Sequence, residues 1–239
     1  MEKQINIAQH LDSTYLKTAS EAGITEADTQ EIVIATIDEA IASEFACVMI
    51  RPEFVVMAKE RIESKKSKLK VGTVIDFPFG NGSTSQKLAE AKSAIDNGAF
   101  DIDFVCDYNA FKRGAFDKFD NDIVEGTKLA LSSKKIVKWI IETGALSRDE
   151  IRNISKRVAQ LVQSNFPENA GKVFLKTSTG YYGGYGATVK DIKTIKSVAG
   201  NLKIKASGGV SNLQDCLDMI KVGATRIGTS KAQVIYNEK

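Results

Sequence analysis

Lys176 stands in the run VFLKTSTG (173–180), after a strand-like apolar stretch and before a hydroxyl- and glycine-rich turn. An ammonium group is strongly hydrated, and lysine is almost never fully buried without a partner. A lysine at the end of an apolar strand is therefore either badly placed or placed for chemistry. Roughly thirty residues on, LKIKASGG (202–209) repeats the arrangement with Lys205. Two cations aimed at one pocket disfavour each other's charged form, so each lowers the pKa of the other. A neutral amine at physiological pH is a nucleophile for carbonyl carbon, the starting point of Schiff-base chemistry. DIDFV (101–105) adds Asp103, which shares a strand face with Asp101 by two-residue alternation. A carboxylate beside two lysines can hold one as a cation and relay protons through a water. Taken alone, that motif suits half of a buried ion pair equally well.

A second group of residues concerns anions. The turns TSTG (177–180), SGG (207–209) and IGTS (227–230) each follow a strand-like run. Small residues let backbone N–H groups approach an anion, and Ser and Thr hydroxyls add donors. This pattern points to a phosphorylated ligand without specifying a reaction, and glycines serving only tight turns are the plainer reading.

These side chains need a scaffold that brings distant segments together. The strand candidates are 10–14, 45–50, 70–76, 101–106, 136–142, 173–177, 202–207 and 225–229, with helical stretches such as 25–43, 84–98 and 188–200 between them. Thr25 before Asp28 and Thr84 before Lys87 read as helix starts, and Gly98 and Gly200 as helix ends. Eight strands alternating with helices and no linker fit one (β/α)8, or TIM, barrel over residues 1–239, preceded by a short N-terminal helix. A doubly wound open sheet usually has a glycine-rich turn after its first strand, and none is present. In a barrel, functional residues belong at the C-terminal ends of strands, where Lys176, Lys205 and Asp103 are expected.

Composition excludes several classes. A formal charge of +3, with lysines scattered along helical stretches, gives no nucleic-acid footprint. The densest basic run, Lys65, Lys66, Lys68 and Lys70, reads as a solvated helix end. Three cysteines without ligand spacing and one histidine, His10, cannot assemble a zinc site. The segment MEKQINIAQH lacks the apolar core of a signal peptide, and no run reaches membrane-spanning length. A reduced, cytoplasmic protein without metal, membrane or nucleic-acid partner is the expectation.

Segments along almost the whole chain resemble the deoxyribose-phosphate aldolases. They are LDSTYLK (11–17), VMIRPEFV (48–55), TVIDFPFGNGSTSQK (73–87), EAKSAIDNGAFDIDFV (90–105), IIETGALS (140–147), FLKTSTG (174–180), GATVKDIKTIK (186–196), IKASGG (204–209) and GATRIGTS (223–230). KTSTG with KASGG at this spacing is the most specific element. The resemblance implies a class I, cofactor-free aldolase that cleaves 2-deoxyribose 5-phosphate reversibly to acetaldehyde and glyceraldehyde 3-phosphate. It puts the Schiff-base lysine at Lys176, the auxiliary lysine at Lys205 and the proton-relay aspartate at Asp103. The phosphate loops fall on Thr179, Gly180, Gly208, Gly209, Gly228 and Ser230, and Asp12 faces the lysines at the mouth. A homodimer is implied by the same resemblance.

The chain departs from that pattern in places. Tyr181 follows KTSTG, YYGGYG (181–186) is a residue longer than usual, Ser13 replaces a frequent histidine, and Ser211 stands where many members carry arginine. With no cation at 211, phosphate binding is expected to rest on backbone N–H groups and hydroxyls, with weaker phosphate selectivity. A related aldolase acting on a different or unphosphorylated substrate is the alternative. A phosphate-binding isomerase or synthase has no need of Lys176, and a binding protein with a dead site has no need of the triad. Alternation also puts Asp101, Lys138 and Lys203 in the lower barrel, where Asp101 is expected to pair with Lys138. Tyr181, Tyr182 and Tyr185 read as lid residues, and Trp139 as packing beneath a helix.

Overall fold

The computed structural model describes residues 5–239; residues 1–4, part of the segment read above for a leader, lie outside it. Eight parallel strands close into a barrel in sequence order: β1 (Leu11–Tyr15), β2 (Cys47–Ile50), β3 (Lys70–Ile75), β4 (Asp101–Val105), β5 (Ile136–Ile140), β6 (Val173–Lys176), β7 (Lys203–Ser207) and β8 (Arg226–Thr229). A 3₁₀ turn, Ile7–His10, precedes β1 as the short N-terminal helix. Around the strands lie α1 (Ala19–Ala22), α2 (Glu26–Ala42), α3 (Val55–Ser64), α4 (Thr84–Asp96), α5 (Tyr108–Lys112), α6 (Phe116–Ser132), α7 (Arg148–Asn165), α8 (Val189–Lys196), α9 (Leu213–Lys221) and α10 (Ala232–Asn237).

Local chemistry explains the boundaries. Thr25 and Asp28 form a reciprocal capping box at the start of α2, satisfying two otherwise orphaned N–H groups. The start of α4 is one residue earlier than the sequence suggests. Ser83, paired with Gln86, is its cap, and Thr84 is already helical. Ser147 and Glu150 do the same for α7. The apolar core lies between strands and helices, where outward strand residues such as Val48, Ile102, Val137 and Ile204 meet Val33, Ile123, Val158 and Ile195 from the helices. Trp139 belongs to this layer. It stacks on Phe104 at 4.7 Å and donates from Nε1 to Thr127 Oγ1 of α6 at 3.0 Å.

The barrel interior is different. Such barrels are usually filled by bulky branched apolar residues. Here an inner apolar cluster of Leu16, Cys47, Met49 and Val74, with buried Val105, Ile140 and Phe174 on the inward strand faces, shares the interior with buried Asp12, Asp101, Asp103, Lys138, Lys176 and Lys205. Lys203 does not join them. As the first residue of β7 it lies at the bottom rim, exposed to solvent, with its Nζ 5.7 Å from the Phe174 ring centroid. No helix among the described residues is long and apolar enough to cross a membrane.

Candidate active site

Register brings the charged residues together. Lys176 pairs with Lys205 across β6 and β7, Asp103 with Lys138 across β4 and β5, and Lys205 with Arg226 across β7 and β8. Lys176 ends its strand, whereas Asp103 and Lys205 stand mid-strand and not at the C-terminal ends that the sequence suggests. Lys176 Nζ and Lys205 Nζ each lie 3.0 Å from the same oxygen, Asp103 Oδ2, while Lys138 Nζ is 2.7 Å from Oδ1. Below them Lys138 reaches Asp101 Oδ2 at 2.7 Å, so the expected Asp101–Lys138 pair is present. Lys205 reaches Asp12 Oδ2 at 2.6 Å, and Arg226 bridges Asp12 and Asp101.

The charges do not balance. Three carboxylates meet four cationic side chains in a space where all but Arg226 are buried, leaving one positive charge in surplus. Burial opposes ionisation of Asp103, but Lys138, Lys176 and Lys205 together hold its carboxyl well below the usual range. Lys138 and Arg226 also lose hydration by burial, yet their carboxylate neighbours raise both above their ordinary values. Lys176 is the member that yields. Burial pulls it down most, Asp103 opposes, Lys205 adds to the fall, and the result is about 8. The second cation is thus a contributor, and desolvation the larger cause.

Asp12, Cys47 and Asp101 bring one donor atom each within 4.8 Å of one another, a metal-like grouping. The carboxylates are already engaged by Lys138, Lys205 and Arg226, and burial pushes the Cys47 thiol up, away from the thiolate a metal needs. This donor set is fitted to ammonium and guanidinium groups, not to a cation from solution.

Above the lysines, Ser207 opens into a cavity of 660 Å³ that Thr179, Gly180, Gly208, Gly209 and Ser230 also line. Gly180, Gly208 and Gly209 have φ of 85°, 93° and 73°, the left-handed region that glycine enters without strain. Two expected binding residues lie elsewhere. Gly228 is inside the barrel, where an added Cβ would fall 2.8 Å from Lys205 Cε and 2.7 Å from Ser207 Oγ; it makes room for the lysine. Asp12 lies beneath Lys205, not at the mouth, because residue 12 of β1 sits a layer below the strand end. Lys17 and Lys231 line the cavity, so the expectation of a wall without side-chain cations is not met.

Sequence reasoning missed other residues. Arg226 follows from alternation, since it shares a face with Gly228. Glu142 follows from no motif. It ends the extension of β5 with φ 56°, is buried, and its Oε2 accepts from the Thr179 N–H at 3.1 Å and from the Thr179 hydroxyl. Burial pushes its carboxyl up, against the lowering effect of Thr179. Tyr181 crosses the mouth: its ring meets Phe77 edge-on at 4.9 Å and its hydroxyl donates to Glu21 at 3.3 Å.

Comparison with known proteins agrees with this picture. Residues 16–232 match the family model described as DeoC/LacD family aldolase. A deoxyribose-phosphate aldolase of Staphylococcus epidermidis is 43% identical over 227 residues, covering 95% of this chain and 93% of that protein. One from Thermococcus gammatolerans is 37% identical with the same coverage. Among solved structures, QR15, an aldolase, superposes with TM-score 0.81 at 32% identity, covering 98% of this chain and 96% of that one. A tetrameric deoxyribose phosphate aldolase from Aeropyrum pernix gives 0.79 at 25% identity, covering 97% of this chain and 90% of that one. With the match spanning nearly all of the barrel and its strand-end loops, this chain belongs to the DeoC/LacD family of aldolases.

Proposed function

We propose that the protein cleaves 2-deoxy-D-ribose 5-phosphate reversibly to acetaldehyde and D-glyceraldehyde 3-phosphate, through a Schiff base on Lys176. The observation that carries the reading is a buried lysine drawn down to about 8, 3.0 Å from a carboxylate oxygen shared with a second lysine. In the synthetic direction the neutral Lys176 amine attacks the acetaldehyde carbonyl. The carbinolamine takes up a proton on its hydroxyl and loses water, giving an iminium. The iminium accepts the electron pair left when a methyl proton departs, and the resulting enamine attacks the aldehyde carbon of glyceraldehyde 3-phosphate. The new alkoxide is protonated, and water returns to the iminium to release the sugar and the free amine.

Asp103 and Lys205 are the groups suited to moving these protons, because one carboxylate oxygen touches both ammonium-bearing side chains. A protonated Schiff base restores the one-charge surplus that neutral Lys176 relieved, and the ionised Asp103 3.0 Å away is the anion that offsets it. Thr179, Gly180, Gly208, Gly209 and Ser230 are read as the phosphate-facing wall. Cytoplasmic location and a homodimer are part of the same reading, the latter checked by light scattering of the purified protein.

The test is borohydride reduction in the presence of acetaldehyde, followed by mass mapping of peptides. An N-ethyl adduct on the peptide containing Lys176 is expected. Modification confined to another lysine, or none, overturns the assignment. Turnover of unphosphorylated 2-deoxyribose beside the 5-phosphate separates this reading from an aldolase for neutral sugars.

A further inference from the structure

Two aromatic rings from different loops meet over one side of the mouth. Phe77, in the connection from β3 to α4, packs on the inner apolar cluster of Leu16, Cys47, Met49 and Val74. Tyr181, in the connection from β6 to α8, lines the cavity and meets Phe77 edge-on at 4.9 Å. Their supports differ. Phe77 stands on a braced loop: the Asp76 N–H donates to Glu90 Oε2 at 2.9 Å, and Asp76 Oδ2 accepts from the Gly82 N–H at 2.8 Å. Buried Lys87 donates to the Gly80 and Val105 carbonyls at 2.8 and 2.9 Å. Arg51, tied through Nε to the Leu16 carbonyl at 2.8 Å, lies 5.5 Å from the Phe77 centroid. Of Tyr181 only the base is fixed, by its N–H donating to Thr179 Oγ1 at 3.0 Å. Its ring is 36% exposed and is held by the edge of Phe77 and by the 3.3 Å hydrogen bond to Glu21. Tyr182 and Tyr185 turn the other way. An added Cβ on Gly144 would fall 3.2 Å from Tyr182 Cδ1 and 2.6 Å from Tyr185 Cβ, and Tyr182 also meets Tyr108 at 6.3 Å. Of the three tyrosines read as a lid, only Tyr181 lines the cavity.

We propose that Tyr181 is the specificity-determining residue for the size of the aldehyde that reaches Lys176, its ring closing against the fixed Phe77 and swinging off it to admit substrate. The proposal rests on the aldolase reading above and adds the limit that reading leaves open, which carbonyl compounds the amine can meet. Opening breaks one edge-to-face contact and one exposed hydrogen bond, a change of side-chain rotamer with no movement of the barrel. Closure keeps water from the iminium and enamine while the second aldehyde is in place. A small aldehyde passes beside the ring, whereas a bulky one needs it displaced, so the wall selects by excluded volume and not by charge.

The test is the rate at which borohydride traps acetaldehyde and 3-phenylpropanal on the Lys176 peptide, in wild type, Tyr181→Ala, Tyr181→Phe and Tyr182→Ala. Cleavage of 2-deoxyribose 5-phosphate is followed alongside. The bulky-to-small ratio is expected to rise about tenfold in Tyr181→Ala, where the ring is gone. It should rise no more than about threefold in Tyr181→Phe, which keeps the ring and loses only the hydroxyl, and should stay at the wild-type value in Tyr182→Ala. A ratio in Tyr181→Ala within about twofold of wild type overturns the proposal, as does an equal rise in Tyr182→Ala. Should the ratios follow the expected order in a protein that does not cleave the phosphorylated sugar, the gate stands and the substrate reading falls. Absence of any adduct on Lys176 removes both.

Discussion

Lys176 and Lys205 are register partners on β6 and β7, and their two Nζ atoms sit at the same 3.0 Å from a single oxygen of Asp103. The geometry is nearly symmetric, but the electrostatics are not. Lys205 also holds Asp12 at 2.6 Å, whereas among the described residues Lys176 has only the shared oxygen within ion-pair range. The lysine with fewer anionic neighbours is the one that gives up its proton.

Replacing Lys176 by Met is expected to abolish Schiff-base trapping and lower kcat/KM by a factor of about 10⁴ or more, as for other covalent nucleophiles. The same variant should be at least as stable as wild type at pH 7. It removes the surplus cation, while Asp103 keeps Lys138 at 2.7 Å and Lys205 at 3.0 Å. Thermal melting checks this, and a fall of more than a few degrees contradicts the surplus-charge account.

Asp103→Asn should behave in the opposite way. Three lysines lose their common anion, leaving buried positive charge uncompensated, which costs on the order of 3–5 kcal/mol. Both stability in denaturant and turnover are expected to fall, with trapping on Lys176 slowed but still directed to that residue.

The rate of Schiff-base formation should climb with pH through about 8, following the neutral fraction of Lys176. Stability carries the same sign. The unfolded lysine keeps its proton up to its ordinary value of 10.5, while the folded one releases it near 8. Between those values the unfolded chain binds more protons, so unfolding free energy rises with pH across that window. Subtracting the pH–stability curve of Lys176→Met isolates this contribution; a difference that is flat from pH 8 to about 10.5 rules it out.

Gly228→Ala tests the interior from another side. A Cβ 2.8 Å from Lys205 Cε and 2.7 Å from Ser207 Oγ forces one of them to move. Overpacking of this kind costs ~1–3 kcal/mol. Displacing Lys205 from Asp103 should cut kcat more than it raises KM, which steady-state kinetics resolves.

Glu142 is expected to matter through Thr179. Glu142→Ala leaves the Thr179 N–H and hydroxyl without their acceptor in a buried place, a loss of ~1–3 kcal/mol. Glu142→Gln keeps an acceptor oxygen and should recover most of the loss. The readouts are melting temperature and KM, since Thr179 lines the cavity.

Much of this was legible in the chain because strand alternation and strand–helix alternation are local patterns. The strand at 101–105 and the pairing of Asp101 with Lys138 follow from a period of two residues and an adjacent strand. What a local pattern does not encode is depth. Gly228 reads with the turn glycines although it falls inside the strand candidate 225–229, and the structure keeps it in β8, facing Lys205 within the barrel. Asp12 and Lys203 were misplaced by a layer, since stagger between strands is not written in any one of them. Glu142 acts only through Thr179, far along the chain, so no motif announces it, whereas Arg226 shares a strand face with Gly228 and is within reach of alternation.

The ion pair between Asp12 and Arg226 spans 214 positions and links the strands on either side of the last seam to close. A chain emerging from synthesis carries Asp12, Asp103 and Lys176 long before Arg226 exists to complete the set. A nascent or nicked form lacking β8 would lack part of the electrostatic frame that tunes its amine, so reactivity toward aldehydes should arise late, as a signal that the cylinder has sealed.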